Sequence, residues 1–175
     1  MEMAGGGLYV GQGPVWGGAV GRNPTDRGKN GSKKSLLTDG AGGPLAIVVA
    51  AANVNDDYLL QQTLEAIVVE RPQPKKKRSQ HLSLDKGYDT PTGKQVVAQH
   101  RYIPHIRRKG EVPVPKEQRT YPARRWVVER TFAWLSKCRA ILVRYDKNPK
   151  HYLGLLQFAC ALLWYRRLIN QPAAS

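Results

Sequence analysis

The sequence predicts an α/β layered domain, and three observations carry that expectation. Apolar runs of strand length, Pro44 to Ala52 and Leu82 to Leu84, alternate along the chain with stretches whose apolar residues recur at helical spacing. Ile47, Val48 and Val49 are apolar at consecutive positions, as a strand covered on both faces requires. Side chains suited to helix N-termini stand directly before the helical stretches. A chain of 175 residues buries one core of ordinary size, so one domain is expected.

Each element follows from local chemistry. Residues 1–21 are a glycine-dense lead-in, expected to be poorly ordered apart from a short strand at Leu8 to Val10, because glycine weakens both helix and strand interiors. A basic loop follows from Gly21 to Lys34, carrying Arg22, Arg27, Lys29, Lys33 and Lys34 among Gly, Asn and Ser. Ser35–Thr38 and Pro44–Ala52 read as strands joined by a turn at Asp39 to Gly43. Asn55 or Asp56 caps a helix reaching about Val69, with Leu59, Leu60, Leu64, Ile67 and Val68 as its buried stripe. The polar linker 71–80 holds the charge run Pro74 to Arg78, which reads first as a solvated loop. Leu82–Leu84 is a strand ending at Asp85, and Thr90 with Pro91 opens a helix to about His100. Ile103–Ile106 is an edge strand, since Pro104 has no donor for a central ladder. A basic, proline-spaced loop then spans 107–119.

Two helices close the chain. The first runs from Tyr121 to Lys137, with Pro122 in its opening turn and Val127, Val128, Thr131, Trp134 and Leu135 on its buried face. Glu129 lies on the other side, near Arg125, Phe132 and Ser136 and flanked by Arg130 and Lys137. Asn148 and Pro149 start the second helix, whose stripe is Tyr152, Leu155, Leu156, Ala159, Leu162 and Leu163. Domain bounds follow: lead-in 1–21, folded domain 22–169, tail 170–175.

The net charge of +15 points to a polyanionic partner, because each neutralised phosphate releases condensed counterions. Cys138 and Cys160 lack metal-ligand spacing and read as buried thiols of a reducing compartment. The longest apolar run, Leu153 to Tyr165, is too short to span a bilayer, and no export signal is visible at the N-terminus. His81, His100, His105 and His151 form no spaced cluster. Trp126 is the more open candidate for stacking on a base, Trp134 being assigned to the core.

The segments NPTDRGKNGSKKSLLTDGAGGPLAIVVAAANVND, LSLDKGYDT and WVVERTFAWLSKCRAILVRYDKNPKHYLGLLQFACALLWYRRL together resemble the DDE-type transposases of bacterial insertion sequences, in the insertion-sequence-four/five superfamily group. The resemblance covers roughly residues 17–168 in the family's order and spacing. It implies a ribonuclease-H-like fold, a mixed sheet flanked by helices, and magnesium or manganese held by two aspartates and one glutamate for phosphodiester cleavage and strand transfer. Asp85 matches the second aspartate and Glu129 the glutamate. A tyrosine, arginine and lysine around the glutamate find their nearest positions in Tyr121, Arg125 and Lys137, the last about one residue out of the expected spacing. Arg27, Lys29, Lys33, Lys34, Arg125, Arg130 and Lys137 are the expected DNA-binding set. The implied partner is double-stranded DNA, both transposon ends and target, bound by a homo-oligomer at the nucleoid in the bacterial cytoplasm.

The first aspartate of the pattern is missing. Counting back from Gly17 and Gly18 places it near Leu8, and no aspartate precedes Asp26. Asp26 belongs to the NPTDRGK loop and Asp39 to a turn, although Asp39 is the first acid to test as a substitute. Two acidic ligands hold a metal pair less well than three. The expectation is therefore an inactive, amino-terminally truncated transposase, its first strand missing or degenerate, with Leu8–Val10 as a makeshift replacement. A non-catalytic basic DNA-binding remnant is the alternative. A third reading, an RNA-binding module, is disfavoured by the lack of aromatic-rich strand motifs.

Overall fold

A computed structural model of the chain describes residues 2–12, 17–24, 28–70, 72, 79–106 and 125–170, without the side chains of 2–7, 12 and 125. Asp26, Arg27, the 74–78 charge run, the 107–119 loop, Tyr121, Pro122 and the 171–175 tail lie outside the described residues. Six strands and five α-helices are described: β1 (Glu2–Gln12), β2 (Gly21–Arg22), β3 (Asn30–Asp39), β4 (Pro44–Ala51), α1 (Asp56–Glu65), β5 (His81–Leu84), α2 (Pro91–Gln99), β6 (Ile103–Ile106), α3 (Arg125–Leu135), α4 (Arg139–Leu142) and α5 (Pro149–Ile169). A 3₁₀ turn, Lys86–Tyr88, follows β5.

The strands make one mixed sheet. Its order runs β4, β3, β1, β5, β6, with β2 continuing the β4 lane along the same edge of β3. β3 is antiparallel to β1, β2 and β4, while β5 is parallel to both β1 and β6. Every strand except β3 therefore points the same way, and the carboxyl ends of β1, β4, β5 and β6 gather at one edge of the layer. Helices cover both faces. Leu37, Leu45 and Leu82 meet Leu60 and Leu64 of α1 and Val96 and Val97 of α2, whereas Leu36 and Ile47 meet Val127 and Leu135 of α3, Ile141 of α4 and Tyr152 and Leu156 of α5. The opposite facing of neighbours Leu36 and Leu37 is the two-residue alternation of a strand buried on both sides.

The lead-in departs from expectation. Residues 2–12 form an eleven-residue strand at the centre of the sheet, so the first strand is neither missing nor confined to Leu8–Val10. Glycine gives up local preference for the strand, but β1 is held by ladders to β3 on one side and β5 on the other. The cost appears as an irregularity in the β3 ladder between Ala4 and Gly7.

Local capping signals were read correctly. The side chains of Asn55, Thr90 and Asn148 accept from the backbone amides of Asp57, Gly93 and Lys150, opening α1, α2 and α5. α1 stops four residues short of Val69, because the chain turns at Ala66 and the amide of Val68 donates instead to Leu45 O. Val68 is consequently 79% exposed rather than part of the buried stripe. Trp134 is also displaced from its expected core position and is 40% exposed, since Val127, Val128, Thr131 and Leu135 already fill the face of α3 that meets the sheet. Leu155 and Leu162 of α5 likewise face outward. Cys138 and Cys160 are free thiols, and burial pushes that of Cys160 up to about 12.

Two cations are folded into the interior. Arg144 is 2% exposed, and its five donors are all engaged: Nε with Asp146 O at 2.8 Å, Nη1 with Ala19 O at 3.0 Å and Ser32 Oγ at 2.7 Å, Nη2 with Gly18 O at 2.6 Å and Lys147 O at 3.1 Å. Gly17 sits at φ +139°, and a Cβ there would stand 2.7 Å from Lys147 O, so only glycine lets this loop approach the clamp. Lys34, 7% exposed, donates to Ile141 O at 2.8 Å and lies 5.0 and 5.5 Å from the ring centroids of Tyr9 and Tyr152. Burial lowers its pKa to about 8.

Replacing Arg144 by lysine removes the fixed fork and leaves several part-buried carbonyls without their guanidinium donor. Chemical denaturation is expected to show a loss of about 3 kcal/mol, and more for Arg144→Ala; a variant as stable as the parent would refute the clamp. The lysine sets a pH dependence. Below pH 8 both folded and unfolded chains hold its proton; above it the folded lysine releases the proton while the unfolded one, near 10.5, keeps it. The unfolded state then binds more protons, so this site's contribution to stability rises with pH from about 8. The Cys160 thiol opposes the trend above its ordinary value of 9.0, because it ionises only in the unfolded chain there. Comparison with Lys34→Met isolates the lysine: the parent should gain about 1 kcal/mol on the variant between pH 7 and 9.

Candidate functional site

Asp85 follows directly on β5, at the edge where the parallel strands end. It is exposed, and its Oδ1 accepts from the amide of Lys86 at 2.8 Å, which caps the 3₁₀ turn. The turn drives Tyr88 back into the core, where burial, and then the charges of Asp56, Asp57 and Asp85, raise the pKa of its hydroxyl. Asp56 and Asp57 thus share this edge with Asp85. Sequence reading used only Asn55 and Asp56 there, as caps; the available signal was that these acids follow the end of β4 as Asp85 follows the end of β5. Both are engaged. Asp56 pairs with Lys33 Nζ at 2.5 Å, and Asp57 Oδ2 accepts from Thr90 Oγ1 at 2.8 Å, tying the start of α1 to the start of α2.

Glu129 is exposed on α3, between residues that dock the helix. Thr131 Oγ1 donates to Gly42 O at 2.9 Å and Arg130 Nη2 to Ala41 O at 2.7 Å, fixing α3 on the β3–β4 turn. Gly42, at φ +88°, is the residue that lets them in: a Cβ there would stand 3.0 Å from Thr131 Oγ1. Phe132, expected on the outer side with Glu129, is partly buried and meets Tyr9 of β1 with ring centroids 6.1 Å apart.

Among the described residues no further acid completes a metal-holding group with Asp85 and Glu129. The β1–β5 ladder pairs Glu2 with His81 and Met3 with Leu82. The residues that follow on β1 toward the Asp85 edge are Ala4 and the glycines 5–7, across an irregularity between Ala4 and Gly7. Asp39 lies at the opposite end of the sheet, level with Met3; its Oδ1 accepts from the amides of Ala41 and Gly43, and Arg167 stands 3.9 Å away. It is a turn-forming residue and does not reach the Asp85 edge. Among the described residues no group of three or more His, Cys, Asp or Glu side chains is placed to hold a metal ion. The three-carboxylate ligand set expected for magnesium or manganese is therefore not present there.

The expected DNA-binding residues divide sharply. Lys29 and Lys137 are exposed. Lys33 is committed to Asp56 and Val54 O, and Lys34 is buried beneath the sheet, so neither presents its ammonium to solvent as the basic-loop reading expected; both stand within β3, where side chains alternate inward. Arg130 is half-buried between two tryptophans, its Cζ 4.8 Å from the ring centroid of Trp126 and 5.8 Å from that of Trp134. Trp126 itself is exposed. Arg125 opens α3, and Arg27 lies outside the described residues. No helix among the described residues is long and apolar enough to cross a membrane.

Residues 9–164 match a protein family described as "Transposase DDE domain". The chain is also similar to a protein named as a transposase for insertion sequence element IS402 from Burkholderia cepacia, with 34% identity over 157 residues, 85% of this chain and 70% of the relative. By the family match across most of its length and by that identity, the chain is a member of the transposase DDE-domain family.

Proposed function

We propose that this chain is an insertion-sequence transposase domain of ribonuclease-H-like fold that binds duplex DNA but is silent in phosphodiester cleavage and strand transfer. The observation that carries the second half is the glycine run at residues 5–7, which follows the paired positions Glu2–His81 and Met3–Leu82 on the central strand and holds no carboxylate to add to Asp85. The mixed sheet with helices on both faces supports the fold. Family membership and the net charge of +15 support DNA as partner, phosphate neutralisation being the sequence-independent part of such binding.

Asp85 and Glu129 remain as the acids of the site, with Lys137 and Arg125 as its basic neighbours on the α3 segment. With the ligand set incomplete among the described residues, the chain's own groups bind and orient a phosphate backbone without a route to its hydrolysis.

Two measurements test this. Affinity for a short duplex, followed by fluorescence anisotropy, should fall by about a hundredfold between 50 and 200 mM salt; binding indifferent to salt would remove DNA as the partner. The purified chain should leave supercoiled plasmid intact in magnesium or manganese, as should Asp85→Asn. Nicking by the parent that Asp85→Asn abolishes would show a complete acid set and overturn the silent-site reading. Gly6→Asp places a carboxylate within this glycine run, and metal-dependent nicking gained by that variant alone would confirm which residue is lacking.

A further inference from the structure

The two faces of the β5–β6 pair carry different chemistry. Leu82, Leu84 and Ile106 turn to the α1–α2 side and join its core. By the two-residue alternation His81 and Ser83 of β5 turn the other way, and so does His105, which stands opposite Ser83 in the parallel ladder. Sequence spacing keeps the chain's four histidines apart, but the ladder makes His81 and His105 diagonal neighbours, at a separation that ring side chains bridge. Their ring centroids lie 5.0 Å apart with the planes tilted by 30°, and His81 Nδ1 is 2.7 Å from His105 Nε2. Both residues are partly exposed, which leaves an ion a way in. Ser83 completes the group: it is 6% exposed, and its Oγ has no hydrogen-bond partner among the described residues.

We propose that His81 and His105 form a chelating site for a divalent transition-metal ion of the zinc, nickel or copper class, with Ser83 Oγ holding a water on that ion. Two nitrogens bound about 2.0–2.1 Å from one ion, at a right or tetrahedral angle, stand about 2.9–3.4 Å apart. Small ring rotations therefore convert the hydrogen-bonded pair into a chelate. The proton between the rings does not have to leave the protein: the donor imidazole carries it on its other nitrogen instead, and both facing nitrogens then offer lone pairs. Neutral imidazole is the form that ligates, and burial, then the neighbouring His81, lower the pKa of His105 and favour that form. A buried hydroxyl without a partner is costly, and a metal-bound water supplies the partner for Ser83.

Nitrogen donors select against magnesium and calcium, which take oxygen ligands. The site is thus chemically distinct from the Asp85 and Glu129 set. His81 opens β5, whereas Asp85 follows its end. An ion held between the two rings ties the edge strand β6 to β5, and binding to the folded chain alone adds to its stability.

Calorimetric titration of the full chain, first stripped with a chelator, is expected to show about one zinc ion bound per chain, unaffected by millimolar magnesium. Zinc at about a hundred times its dissociation constant should raise the melting temperature by about 5–10 °C. His81→Gln and His105→Gln should each weaken zinc binding by about tenfold or more, while His100→Gln and His151→Gln leave it unchanged. Copper(II) on the parent gives a readout that needs no variant: its electron paramagnetic resonance should carry the hyperfine pattern of two equatorial nitrogens. A parent that takes up none of the three ions at about 100 μM overturns the proposal. Zinc binding that survives both substitutions, or a copper signal with fewer than two nitrogens, overturns it equally.

Discussion

The guanidinium of Arg144 is the constraint on which the rest of the architecture depends. A central strand as glycine-rich as β1 has little strand propensity of its own, so its position must be imposed from outside. The ladders to β3 and β5 impose part of it. The clamp imposes the return: four carbonyls and one hydroxyl, drawn from the loop after β1, from β3 and from the segment leading into α5, converge on one buried cation. One side chain thus satisfies a group of part-buried acceptors from three segments. Arginine alone offers five donors in a fixed plane, and removing it exposes every partner at once. Serine 32 completes the knot by donating its own hydroxyl to Ala19 O at 2.7 Å.

That use of arginine changes what the positive charge means. In a chain of net charge +15 the simple inference is that cations line a surface for a polyanion. Arg144 and Lys34 contradict it at two positions, and Arg130 at a third, where a guanidinium sits between Trp126 and Trp134 and holds α3 to the β3–β4 turn. Arg167 makes a parallel contact to the same Ala41 carbonyl from α5. Structural cations of this kind stabilise loops by collecting carbonyl oxygens, work that the scarcer acidic residues cannot do because they only accept. The excess over these residues is what remains for a partner.

Much of the fold was legible because its signals are local. Asn55, Thr90 and Asn148 announce helix starts through hydrogen bonds closed within three residues, and Pro91 and Pro149 confirm them by chemistry confined to one turn. The errors share the opposite property. β1 looked like a lead-in because glycine content is a local quantity whereas strand pairing is decided by distant partners. Val68 looked helical until an amide found Leu45 O across the chain. Trp134 lies at the margin of the buried stripe of α3, where a helical wheel cannot say whether a neighbouring element extends far enough to cover it. Of the site, Asp85 and Glu129 were visible as sequence motifs, but the level of the missing acid was not. Counting along the chain puts it near Leu8, whereas continuing the β1–β5 pairing from Met3–Leu82 leads toward the glycines 5–7, because register between strands is tertiary information.

A glycine run on the central strand is compatible with this fold. A carboxylate on a central strand is a liability to folding, since a buried or crowded charge must be compensated by a cation or a hydrogen bond. Glycine at that level asks for no partner, and the sheet closes over it with only the irregularity between Ala4 and Gly7. Selection for chemistry and selection for stability therefore act in opposite directions at residues 5–7. The contacts that dock α3 and the loop clamp, made by Arg144, Thr131 and Gly42, lie outside residues 5–7. On these grounds a domain with glycine at this level folds as well as one that carries a carboxylate there.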